Sequence, residues 1–142
     1  MTGRVLLDTH IALWLDAGDP RLRSSTRDAI DHCWRNGDGI MFSSVSAWEI
    51  ALLVDLGRIE LDLPATAWID RFLLRSGVHA ATLDPGTAAA SYDLHHFEQR
   101  DPADRLLVAT AIELGCPLIT YDQHIQKFAK RHGSRYGFRV ET

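Results

Sequence analysis

At 142 residues the chain has the usual length of a single domain, and we predict one domain over residues 1–142. Hydrophobic residues make up 46% and charged residues 24% of the sequence, which is typical of a globular protein and excludes disordered, collagen-like and disulfide-rich classes. The net charge of −4 argues against a protein that coats nucleic acid through bulk positive charge.

The sequence contains neither an apolar run that could span a membrane nor a cysteine motif. No apolar run approaches the roughly 18 residues of a membrane span, and Met1–Arg4 leads into only about three consecutive apolar residues. We therefore expect a cytoplasmic protein with neither a signal peptide nor a membrane partner. Cys33 and Cys116 stand apart from any CxxC motif or Cys/His cluster, so we expect two reduced, buried thiols without a catalytic role.

The first half of the chain predicts strands that alternate with helices. Val5 to Leu7 is a short apolar run that ends at Asp8, and a helix is expected over Ile11 to Leu15. Asp8 is thus predicted at the carboxyl end of a strand. The other elements predicted here are a helix at 21–35, a strand at 40–42, a helix that begins at Ser43–Ser44 and a helix at 65–75.

The second half continues the alternation. Pro102 to Leu114 carries the clearest helix signals, because Asp101 is a suitable N-cap, Pro102 suits the first turn and Gly115 ends the pattern. The other elements predicted here are a strand at 78–83, a helix at 85–94, a strand at 117–120 and a helix at about 123–131. This order favours an α/β fold with a mostly parallel central sheet covered by helices on both faces.

Asp8 and Asp122 each follow a predicted strand of this sheet. Parallel sheets bind ligands beyond the carboxyl ends of their strands, where loops and helix N-termini converge. Either aspartate alone serves equally well as a helix N-cap. Two of them at the same edge indicate a functional site.

Glu49 is predicted to face the interior of the protein. It lies within an apolar stripe at helical spacing, formed by Val45, Trp48, Leu52, Leu53 and Leu56. A buried carboxylate needs a proton, a partner or a bound cation. As an alternative, the segment Ser46-Ala47-Trp48-Glu49 matches a capping box, in which Glu49 would bind a backbone N–H.

Asp101 and Asp104 open one predicted helix, and both can act through its cap and dipole. We assign this structural role to Asp101. For Asp104 we favour metal binding, because Leu107, Ala111 and Leu114 anchor the same side of the helix in the core and let its side chain project toward the crevice.

The four acids Asp8, Glu49, Asp104 and Asp122 form the predicted metal site. Carboxylates without His or Cys suit hard cations such as Mg²⁺ or Mn²⁺ rather than zinc. One or two such ions can bridge a phosphodiester, polarise its P–O bonds and help to generate hydroxide from water. The pattern therefore favours phosphodiester hydrolysis.

Four short segments extend in order from near the N-terminus to Asp122. They are LLDTH (6–10), VSAWEIA (45–51), RDPADRLLVA (100–109) and LITYD (118–122). Together they resemble the motifs of PIN-domain ribonuclease toxins of the VapC type. The resemblance implies a PIN-like α/β/α sandwich, assigns metal binding to the same four acids and places Thr120 beside them as a polar neighbour. Ala103 departs from the family, where an aromatic residue is frequent, but no ligand is lost.

The same resemblance implies the toxin component of a type II toxin–antitoxin system, an endoribonuclease that hydrolyses RNA with a metal-activated water. It also implies a cognate VapB-like antitoxin as partner and a homodimer. The alternative is a PIN-like module that binds RNA or protein without catalysis. Such a module is expected to lack one or more of the acids, and all four are present.

Further residues are candidates for contacts to the phosphate or to the metal ligands. Thr9 and His10 follow Asp8, and Arg105 follows Asp104; Asp101 and Thr120 complete this set. The stretch 127–139 carries five Lys and Arg residues and no acid. This charge run indicates either a solvated face or a phosphate-contacting patch.

Overall fold

A parallel sheet forms the centre of the protein, whose computed structural model describes residues 3–142. Within this range the strands are β1 (Val5–Leu7), β2 (Ile40–Ser43), β3 (Val78–Ala81), β4 (Leu118–Ile119) and β5 (Val140–Glu141). Their order across the sheet is β3-β2-β1-β4-β5, with every neighbouring pair parallel. Met1 and Thr2, which belong to the predicted domain, lie outside the described residues.

Helices connect the strands and cover the sheet. In the described part of the chain they are α1 (Thr9–Ala17), α2 (Ser24–Arg35), α3 (Ser44–Asp55), α4 (Ala65–Leu73), α5 (Pro85–Ala90), α6 (Pro102–Leu114) and α7 (Gln123–Tyr136). None of these helices over residues 3–142 has both the length and the apolar character needed to span a membrane.

Alternate residues of the central strand β1 point to opposite faces of the sheet. Val5 and Leu7 belong to the core beneath α1, α2 and α4, whereas Leu6 belongs to the core beneath α6 and α7. All three are almost completely buried. A strand that is apolar on both faces needs helices on both sides of the sheet. The predicted α/β/α sandwich is therefore confirmed.

The predicted elements are found with some shifted ends. The strand at 5–7 and the helix at 102–114 have the predicted bounds. The first helix begins at Thr9 instead of Ile11, because the Asp8 side chain accepts a hydrogen bond from the Thr9 N–H and caps the helix there. The second begins at Ser24 instead of Arg21, since the Arg21 N–H donates to Asp19 Oδ1 in the preceding turn.

The largest differences lie in the second half. α5 ends at Ala90, and the Ser91 and Leu94 carbonyls that were predicted to be helical accept hydrogen bonds from the Arg105 side chain. α7 continues beyond the predicted end at 131 until Gly137, whose φ of 67° suits a glycine C-cap. β5 was not predicted, because two paired residues carry too short a pattern to be recognised.

Both cysteines are buried free thiols, as predicted. Desolvation raises the pKa of Cys33 and of Cys116 above the ordinary thiol value. The reactive thiolate form is therefore disfavoured at neutral pH for both residues.

Candidate active site

Acidic side chains gather at the carboxyl edge of the sheet, where β1 and β4 lie side by side. β1 ends at Asp8, and β4 continues through Thr120 to Asp122. β2 and β3 extend from β1 on one side and β4 and β5 on the other, so the strand order reverses at this point, as at the ligand crevice of open α/β sheets. A cleft of about 420 Å³ opens here, and its walls include all four predicted metal ligands and Asp101.

The Asp8 carboxylate is fixed by two hydrogen bonds. Oδ1 accepts from the Thr9 N–H at 2.7 Å, and Oδ2 accepts from the Thr120 hydroxyl at 2.6 Å. The Thr120 hydroxyl in turn accepts from the Asp122 N–H at 3.0 Å. Despite these donors, desolvation raises the pKa of Asp8. Thr120 therefore lies beside the acids, where it was predicted.

Glu49 is connected to Asp8 through Thr9. The Thr9 hydroxyl donates to Glu49 Oε1 and also lies 3.0 Å from Ser46 Oγ. Desolvation raises the pKa of the half-buried Glu49 carboxyl group. The capping-box alternative is wrong, because α3 already begins after Ser43, whose side chain accepts from the Val45 N–H. Ser46 thus lies inside the helix.

The apolar stripe of α3 lies on a different face from the one predicted. Trp48, Leu52 and Leu56 are 57%, 38% and 53% exposed, so these three members of the predicted stripe point to solvent, whereas its first member, Val45, is buried. The buried side of the helix is formed by Val45, Ser46 and Ile50. Glu49 reaches the cleft between these two sides. The predicted position of its carboxylate is found, but the reason given for it is wrong.

Asp101 and Asp104 lie at the start of α6, as predicted. Asp101 is the N-cap, and its Oδ1 accepts from the Ala103 N–H at 2.9 Å. Asp104, in the first turn, is half-buried at the cleft. Desolvation, followed by the charge of Asp101 and of the three other cleft acids, raises the pKa of Asp104 to about 8. A deprotonated Asp104 therefore needs positive charge nearby.

The donor chemistry of the cleft fits a hard divalent cation. Within residues 3–142, no Lys, Arg or His forms a salt bridge with any of the four acids, and no three His, Cys, Asp or Glu side chains already form a metal-binding group. The fit depends on oxygen donors and on uncompensated negative charge. The caps Asp8, Asp101 and Asp122 place the N-termini of α1, α6 and α7 at the cleft. The dipole of each helix adds partial positive charge there.

Of the residues predicted to contact the phosphate, His10 lies at the cleft and Arg105 does not. His10 is exposed at the cleft, with its ring centroid 5.8 Å from that of Trp14. Arg105 does not line the cleft, so we correct its predicted phosphate contact. Its guanidinium is buried and donates to four main-chain carbonyls, those of Ser91, Leu94, Phe97 and Gln99. The side chain thereby holds the chain segment between α5 and α6.

Sequence reasoning missed three aromatic or charged cleft residues, Trp14, Arg21 and Tyr121. The Arg21 guanidinium lies 5.0 Å from the centre of the Trp14 ring. The Tyr121 hydroxyl lies 2.6 Å from the Thr26 hydroxyl at the start of α2. The adjacency of Tyr121 to Asp122 was a visible signal. The contact to Thr26 joins residues 95 positions apart, and no local pattern could have indicated it.

The PIN domain family model matches residues 5–131, which cover the sheet up to β4 and every acid of the cleft. The chain belongs to the PIN domain family. Ribonuclease VapC22 from Mycobacterium tuberculosis is 36% identical to this PIN domain over 122 residues, 86% of this chain and 89% of that protein.

Solved structures support the same fold. VapBC2 from Rickettsia felis, bound to a promoter DNA fragment, has a TM-score of 0.65 at 17% identity and covers 97% of both chains. DNA-bound VapBC from Salmonella typhimurium has a TM-score of 0.63 at 17% identity, covering 99% of this PIN domain and 98% of that chain.

Thr120 should position Asp8, and this role can be measured. Thr120→Val keeps the shape of the side chain but removes the donor to Asp8 and the acceptor of the Asp122 N–H. We expect the free energy of unfolding to fall by about 2 kcal/mol and nuclease activity to fall about tenfold. Denaturant unfolding and cleavage assays check both values. Thr120→Ser retains the hydroxyl and should restore most of the activity; equal losses in both variants would assign the effect to packing alone.

Proposed function

We propose that this protein is the toxin component of a type II toxin–antitoxin system and acts in the cytoplasm as a divalent-metal-dependent endoribonuclease. The observation that supports this most strongly is the meeting of Asp8, Glu49, Asp104 and Asp122 in one cleft at the reversal of strand order. The 36% identity to Ribonuclease VapC22 supports RNA as the substrate.

The four acids would hold one or two Mg²⁺ or Mn²⁺ ions. A bound ion of this kind supplies Lewis-acid polarisation of the phosphodiester and makes water a better nucleophile. The chain itself contributes orientation. Thr9 and Thr120 fix the carboxylates of Asp8 and Glu49 before substrate arrives, so little reorganisation is left for the reaction. His10 and Arg21 line the cleft, and we propose that they contact the phosphate backbone, Arg21 in exchange for its ion pair with Asp19.

A VapB-like antitoxin and a second copy of the chain are the proposed protein partners. The likeness to the VapBC structures supports the antitoxin. The exposed stripe of Trp48, Leu52 and Leu56 supports a protein contact, because contiguous exposed apolar surface commonly marks an interface.

The first test is cleavage of a panel of RNA and DNA by purified, antitoxin-free protein with Mg²⁺, Mn²⁺ or EDTA. We expect metal-dependent cutting of RNA, lowered at least about a thousandfold by Asp8→Asn, since Asn retains the N-cap but not the charge. Asp55→Asn, an exposed acid at the end of α3, is the matched control and should cleave normally.

Two outcomes contradict the proposal. Equal cutting by wild type and Asp8→Asn would identify a contaminating nuclease. RNA binding without cutting, for every substrate and metal, would support the alternative of a catalytically silent PIN-like module.

A further inference from the structure

One face of α7 carries a line of basic side chains that the proposed chemistry leaves unused. His124, Lys127, Arg131 and Arg135 follow one another at steps of three or four residues, which places them on one side of the helix. All four are exposed. We call this line the basic stripe. It begins two residues after Asp122, one of the cleft acids, and leads away from the cleft for about 16 Å.

The segment that precedes α6 lies against the basic stripe and adds histidine to it. Arg135 Nη1 lies 2.9 Å from His96 Nε2, and His124 Nδ1 lies 3.4 Å from Gln99 Nε2. The ring centroids of His96 and His132 are 4.6 Å apart. A shallow groove of about 80 Å³ lies between the two elements.

The charge of the basic stripe is not balanced by acids. Among residues 3–142, none of its members forms a salt bridge, and the stretch 127–139 contains no acid; Glu98 is the carboxylate that lines the groove. Partial desolvation, and then the charges of Arg135 and two neighbouring histidines, lower the pKa of His96. A solvated helix commonly pairs Lys and Arg with acids one turn away. In a chain of net charge −4, this concentration indicates an anionic ligand.

We propose that the basic stripe and its groove bind the phosphate backbone of the RNA strand where it continues beyond the scissile phosphate. This inference rests on the proposed nuclease function. RNA fits better than an acidic protein segment, because the basic stripe starts at the cleft where a phosphate must lie. Its length of about 16 Å matches roughly four or five stacked nucleotides at about 3.4 Å each.

The test compares two double variants of the full chain. Lys127→Ser with Arg131→Ser removes two charges from the basic stripe. Arg27→Ser with Arg35→Ser removes two charges from α2, which do not line the cleft. Affinity for a fluorescein-labelled single-stranded RNA is measured by anisotropy in EDTA across a range of NaCl concentrations. Circular dichroism and thermal unfolding check that each variant is folded.

Only the stripe variant should lose affinity. The slope of log K (association constant) against log [NaCl] is negative, and we expect its magnitude to decrease by about 1.4, or about 0.7 for each lost phosphate contact. We also expect Kd to rise roughly tenfold at physiological salt. With metal present, the KM for a long RNA should rise by a similar factor. The kcat on a substrate of two nucleotides should be unchanged, because it is too short to extend from the cleft to Lys127 and Arg131.

An unchanged slope in the stripe variant, or equal decreases in both variants, would overturn the proposal. Loss of poly-glutamate binding with RNA binding intact would also overturn it, in favour of an acidic protein partner. Because affinity is measured without metal, failure of the nuclease proposal would appear as absent cleavage with the difference in slope preserved.

Discussion

Replacing Arg105 by alanine should lower the free energy of unfolding by about 4 kcal/mol. The guanidinium is buried and donates to four carbonyls between Ser91 and Gln99, in a segment with no regular secondary structure after α5. Removing the side chain takes a donor from each of the four carbonyls, of which Leu94 O keeps the Phe97 N–H, and hydrogen bonds from charged groups are worth about 1.5–3 kcal/mol each. Because this segment leads to Asp101 and Asp104, activity should fall as well.

Equilibrium unfolding in denaturant measures the free energy of unfolding of wild type and Arg105→Ala. Arg105→Lys, which lacks the planar fork, should recover only part of it. Arg100→Ala removes an exposed arginine of the neighbouring loop and should change stability by less than about 0.5 kcal/mol. A loss of less than about 1 kcal/mol for Arg105→Ala would show that water can replace the guanidinium.

Replacing Asp104 by asparagine should change activity and stability in opposite directions. The rate of RNA cleavage should fall more than about a hundredfold, because a predicted metal ligand is lost. The metal-free protein should become more stable by about 1 kcal/mol, or roughly 4 °C in Tm. The reason is that desolvation and the surrounding acids disfavour the charged Asp104 carboxylate, whose pKa is raised to about 8.

Thermal unfolding with and without Mg²⁺ separates the two effects. Mg²⁺ should raise the Tm of the wild type, because it binds the folded state, and should raise that of Asp104→Asn less. Asp84→Asn is the matched control, since Asn can also cap α5 and Asp84 does not line the cleft. A destabilised metal-free Asp104→Asn variant would contradict the account of repulsion in the cleft.

The fold could be predicted because its signals are local. Short apolar runs at Val5–Leu7 and Leu118–Ile119 alternate with helical patterns, and that order implies a parallel sheet covered on both faces. The same reasoning placed Asp8 and Asp122 at one edge, where the structure brings them together with Glu49 and Asp104. That these acids bind metal stays a prediction.

What sequence reasoning missed depends on contacts between distant segments. The sequence position of Arg105 next to Asp104 suggested a role at the cleft, but consecutive helix residues point in different directions, and the side chain meets carbonyls 6 to 14 residues away. α3 is apolar on more than one side, so periodicity alone could not identify which side is buried. The contact of Tyr121 with Thr26 has no sequence signature at all.

Asp8, Asp101 and Asp122 of the cleft cap α1, α6 and α7, and two of them, Asp8 and Asp122, are proposed metal ligands as well. If a descendant of this protein lost its nuclease, selection for folding would still favour Asp, Asn, Ser or Thr at these positions. Glu49 and Asp104 cap no helix, so relaxed selection should alter them first. In a divergent homologue, their replacement would be the earlier genetic sign of lost catalysis, while an intact Asp8 would indicate little more than a folded domain.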